Sequence, residues 1–127
     1  MKRLLVLLGG IFILALACAP KALYLLDVTE PIIPPDSPQR PWIMIGSRNW
    51  GSSKLYRKLC IKGEFRQILA KTHLPKKDQK TLWEAACGKE SSSADFVKAY
   101  YSLDEGLRIN LRETLENHGY ILNEFPC

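Results

Sequence analysis

The sequence has only two histidines, His73 and His118, and no pair of cysteines at C-x-x-C spacing. A structural zinc site draws on clustered thiolates and imidazoles, so neither a metal nor any other cofactor is expected. No nucleophile or carboxylate stands at a recognisable catalytic spacing from either histidine. His118 falls in the last turn of an expected helix, where the dipole favours an imidazolium without any catalytic role. His73 precedes Leu74-Pro75 in a turn, and Ser91-Ser92-Ser93 is accounted for by helix capping. Gly46 and Gly51 flank Ser47-Arg48-Asn49-Trp50, a polar turn without a phosphate-loop pattern. No catalytic residue is therefore expected, and the chain reads as non-enzymatic. There is no internal repeat, no low-complexity tract beyond the prolines and no base-stacking motif that would suggest nucleic acid.

A long apolar run is missing too. The stretch from Leu4 to Ala17 is shorter than the ~20 residues a spanning helix needs, and Gly9-Gly10 weakens it. What stands there is a basic start at Lys2 and Arg3, an apolar core and small residues at Ala15 and Ala17. That pattern predicts a secretory signal over residues 1–17, with an uncleaved anchor as the alternative. Two cleavage readings compete. Ala15-Leu16-Ala17 suits ordinary signal peptidase, while Ala15 to Cys18 resembles a bacterial lipobox whose cysteine is lipidated after the cut. The lipoprotein is the favoured reading, which anchors the chain through Cys18. Ala19 beside that cysteine then implies sorting to the outer membrane, by resemblance to that class. Either way the expected location is the periplasm.

The remaining ~110 residues suffice for one core and not two. Residues 18–41 are expected as a tether, because Pro31, Pro34, Pro35, Pro38 and Pro41 favour an extended path. The competing reading is an arm packed on the domain, for which Leu23 to Leu26 are suited. The folded domain is expected over residues 42–127. Trp42 to Gly46 reads as one strand or an arm tucked into the core.

Ser52 or Ser53 caps a helix expected to reach Thr72, with Leu55, Leu59, Phe65, Ile68 and Leu69 at helical spacing. Gly63 interrupts it, marking either a break or a close helix contact. Pro75 suits the first turn of a second helix carrying Leu82, Trp83, Ala86 and Cys87, which stops at Gly88. Two capping boxes follow. Ser92 to Asp95 opens a helix with Phe96, Ala99, Tyr100 and Leu103 inward. Ser102 to Glu105 opens or re-caps another with Leu107, Leu111 and Leu115 inward, ending at Asn117-His118-Gly119. Tyr120-Ile121-Leu122 is apolar again. The architecture expected is all-α: a small bundle of three or four short helices with a disulfide staple.

Four cysteines in a small exported chain argue for disulfides. Cys60 and Cys87 lie equally far from the His73-Leu74 turn, and in an antiparallel helical hairpin equal distances put residues side by side. Cys60–Cys87 is therefore the bridge that local geometry favours. A loop of that length contributes about 3–4 kcal/mol in the chain-entropy treatment. Cys127 is expected to pin the tail. If Cys18 is lipidated, Cys127 is free or pairs between chains; if not, Cys18–Cys127 becomes available.

Charge is distributed unevenly. From Arg40 to Lys80 there are eleven basic residues against Glu64 and Asp78, a net of +9, and from Thr81 to Cys127 the net is −4. The halves either complement each other within the fold or leave a basic surface that steers an acidic partner or meets anionic lipid. Lys76, Lys77 and Lys80 are the candidate partner-binding residues. They crowd a helix start, where positive charge opposes the dipole and a structural reason is hard to find.

The second half resembles the periplasmic immunity proteins that protect against type VI secretion amidase effectors. Cys60 on an early helix, Cys87 before a Ser-capped helix, the helix from Leu103 to Leu115 and the closing Phe125-Pro126-Cys127 carry the likeness. It implies a small exported helical protein, disulfide-bonded, that binds and blocks a toxin delivered into the periplasm. A second class is a small structural or exclusion lipoprotein of an envelope secretion or conjugation complex.

Overall fold

The computed structural model of the protein describes residues 22–28 and 42–125. The expected signal segment, Cys18, most of the Pro-rich stretch and Cys127 lie outside those residues.

Ser53 opens α1 (Lys54–Tyr56), its hydroxyl oxygen accepting from the Tyr56 N–H at 3.0 Å. The chain then widens into a π-helical turn, Arg57–Ile61. Gly63 follows at φ 80°, a left-handed backbone that side chains disfavour, and opens α2 (Glu64–Lys71). A Cβ at Gly63 would meet nothing within 4 Å, so this glycine makes a break and not a close helix contact. The single helix expected up to Thr72 is therefore two pieces set apart by a reversed turn.

Pro75, which has no N–H to leave unbonded, precedes α3 (Lys76–Cys87), and Gly88 closes that helix. Ser92 caps α4 (Ser93–Tyr101) by accepting from the Asp95 N–H at 3.1 Å. The next cap departs from expectation. Asp104, not Ser102, accepts from the Leu107 N–H at 2.9 Å and opens α5 (Glu105–Asn117), while the Ser102 hydroxyl donates back to the Lys98 carbonyl. An ionised carboxylate is the stronger acceptor at a helix N-terminus, and its charge suits the dipole there. Gly119, at φ 89°, then turns the chain out of the helix.

The protein is mostly helical but not purely so, which corrects the all-α expectation. Three strands form one antiparallel sheet in the order β2-β1-β3: β1 (Ala22–Asp27), β2 (Ile43–Met44) and β3 (Tyr120–Phe125). β1 is the central strand. Leu25 stands opposite Ile43 on one side and Leu122 on the other. Leu23, Leu25 and Leu26 are buried, so residues 22–27 of the expected tether belong to the folded body, as the packed-arm alternative held. α4 packs against β1 and α5 against β3, which closes the core between helices and sheet.

Two features lock the long connection from β2 to α1. Trp50, read from sequence as part of a polar turn, is buried, and its indole N–H donates to the Ala86 carbonyl at 2.8 Å. That carbonyl belongs to the last turn of α3 and has no partner within the helix. Gly46 lies at φ 83° so close to α4 that a Cβ would stand 2.4 Å from the Ser92 carbonyl carbon. Beside them the Cys60–Cys87 disulfide joins the π-helical turn to the end of α3, with the Cα atoms 5.4 Å apart. The expected staple is present.

Candidate functional site

Helical periodicity decides which cations share a face. Lys76, Gln79, Lys80, Trp83 and Glu84 follow one another at spacings of three, one, three and one along α3, so they form a single stripe. Opposite them α2 contributes Arg66 and Leu69, and between the two helices lies a groove of about 420 Å³ lined by these seven residues. Lys76 and Lys80 thus come together at one site. Lys77 is exposed as well but is rotated away from the stripe and does not line the groove.

Within the groove the Arg66 guanidinium lies over the Trp83 ring, 4.4 Å from its centroid. A planar cation over an indole is the most favourable cation–π geometry, and it restrains an otherwise mobile side chain. The Trp83 Nε1–H is buried and finds no acceptor among the described residues. Gln79 is anchored by donating from Nε2 to the Leu74 carbonyl at 2.8 Å. The sequence singled out Lys76, Lys77 and Lys80 together; the groove gathers two of them with Arg66 and Trp83, which it did not single out, since no local pattern links residues on different helices. Trp83 also lines a second groove of about 750 Å³ between α3 and α4, with cationic and acidic residues intermixed.

The ion pairs decide how the uneven charge is used. Lys58 meets Asp27 at 2.8 Å and Arg112 meets Glu124 at 3.0 Å. Neither joins the basic segment before Lys80 to the acidic half after it, and among the described residues Lys76, Lys77 and Lys80 form no ion pair. Among the described residues, then, no ion pair links the two oppositely charged halves.

The histidines lie apart from this groove. His118 holds its ring between the Thr114 carbonyl, 2.8 Å from Nδ1, and the Lys71 ammonium, 3.1 Å from Nε2. A carbonyl can only accept, so Nδ1 carries the proton and Nε2 accepts from Lys71. His73 is used through its backbone N–H, which donates to Asn110 Oδ1. Among the described residues no group of histidine, cysteine and acidic side chains is placed to hold a metal.

A third cluster ties β3 to α4 and α5. Glu124 on β3 accepts from the Tyr100 hydroxyl and, at 3.4 Å, from Tyr101, and pairs with Arg112. Burial, and then the bond to Glu124, push the Tyr100 phenol far above its usual range. Burial and the negative charge of Glu124 raise Tyr101 as well. Phenols held protonated beside a carboxylate are structural donors here and not proton shuttles at neutral pH.

No helix among the described residues is long and apolar enough to cross a membrane. No known family, curated protein or solved structure matches the chain.

Proposed function

We propose that this chain is a non-enzymatic, exported binding protein of the envelope, and most specifically an immunity protein that occludes the active site of a periplasmic cell-wall amidase toxin. The observation that carries the binding role is the uncancelled basic face: Lys76, Lys77 and Lys80 are exposed and without ion pairs among the described residues. Lysines at a helix start oppose the dipole, so their presence there is better explained by an acidic partner than by stability. The immunity role adds to this the resemblance carried by Cys60, Cys87, the helix from Leu103 to Leu115 and the closing Phe125-Pro126-Cys127.

A disulfide-stapled body with a preformed face suits a protein that must bind outside the cytoplasm without rearranging. Periplasmic location and lipidation at Cys18 belong to the same proposal. The test is protection: if the neighbouring reading frame encodes a cell-wall amidase, cells receiving that amidase in their periplasm should survive when the protein is co-expressed. Lysis equal to that of cells lacking the protein ends the immunity reading.

A further inference from the structure

The groove between α2 and α3 combines features that a merely solvated charged face does not need. Arg66 enters it from α2, Lys76 and Lys80 enter from α3, and the Trp83 indole forms part of the wall. Glu84 is the sole acidic side chain among its lining residues, so the groove is net positive. None of the three cations forms an ion pair among the described residues. Arg66 is already restrained on the indole, so less side-chain freedom is lost when an anion engages it. Tryptophan and arginine together are also the residue types that most often dominate protein interfaces.

We infer that this groove receives an aspartate or glutamate side chain from an acidic segment of a partner protein. The inference rests on the proposed protein-binding role and names the place and chemistry of the contact. At about 420 Å³ the groove is at the small end of ligand clefts, and it suits one or two inserted side chains. Anionic lipid is the other surface a basic face meets, and shape argues against it: a bilayer cannot enter a concave cleft. The exposed large hydrophobics that would accompany membrane contact, Val28, Ile61, Ile109 and Ile121, do not line it.

Nitrogen–proton correlation NMR of the full chain tests this with three probes: a synthetic peptide of Gly, Ser and Glu, its Gln analogue, and phosphatidylglycerol vesicles. The Glu peptide should shift the Trp83 indole N–H, assigned through Trp83→Phe, together with the amides of Lys76 and Lys80. The Gln analogue should not, and Arg66→Glu or Lys80→Glu should weaken the Glu peptide at least about tenfold. Equal responses to both peptides, or none at Trp83, overturn the inference. Vesicles that perturb the lysines while the Glu peptide leaves them unchanged assign the face to lipid and overturn it too. A protein that answers the Glu peptide but gives no protection from the toxin keeps the groove and loses the immunity reading. Protection without that response does the reverse.

Discussion

Tyr100 and Glu124 show how a pair of residues far apart in sequence can fasten a strand to a helix. The phenol is buried, donates to the carboxylate and is pushed far above its ordinary value of 10.0 by burial first and the carboxylate second. Because the folded form resists ionisation, the unfolded chain loses this proton at lower pH than the folded one. The sign follows: the contribution of Tyr100 is fully present below about pH 10 and is lost as pH rises beyond it. Alkaline titration should therefore show one of the tyrosines ionising only with unfolding, and Tyr100→Phe should remove that phase while costing about 1 kcal/mol at neutral pH. A tyrosinate signal complete before unfolding would contradict the buried donor. Nothing in the sequence pointed to this pair, since Tyr100 read simply as an inward helix position and Glu124 counted only as one charge of the acidic half. Trp50 was hidden for a related reason: its neighbours are polar, and only its bond to the Ala86 carbonyl shows what it does.

At the level of elements, what could be read locally was the helices, and what could not was the sheet. Ser53, Pro75, Gly88 and Ser92 mark helix ends through chemistry contained within a few residues, and each stands at the end it signals. β1 is different. It is a short leucine run beside a Pro-rich stretch, and its partners Ile43 and Leu122 lie far along the chain, so pairing depends on contacts that no local pattern records. Because β1 is central, Leu25→Ala should cost about 2–5 kcal/mol, read from chemical denaturation. A chain that starts at Trp42 should lose cooperative unfolding. Full stability of that shortened chain would return residues 22–27 to the role of a tether. The glycines give a second contrast. Gly46→Ala must push the α4 backbone aside and should destabilise by more than about 2 kcal/mol. Gly63→Ala meets no neighbour and should cost only the left-handed backbone term of about 1–2 kcal/mol.

The described residues form a small body with one core, one disulfide and a groove of net positive charge between α2 and α3. Replacing Cys60 or Cys87 with Ser should lower stability by about 3–4 kcal/mol, measured against the oxidised protein. The pairing was legible because both cysteines lie at equal distance from one turn, even though the helix expected before that turn is broken at Gly63. The basic face was legible as a count of charges, but the groove that gathers Arg66, Lys76, Lys80 and Trp83 arises only when α2 and α3 are packed together. If the face steers a partner, association should slow as salt rises, and reversing Lys76, Lys77 and Lys80 to Glu should slow it further at low salt. The most direct test of the proposed function is a calorimetric titration of this protein into the purified cell-wall amidase proposed as its partner, with cell-wall hydrolysis followed in the same samples. A saturable stoichiometric complex is expected, with hydrolysis that disappears as the complex fills. No heat of binding, or hydrolysis that continues unchanged in the complex, would contradict it.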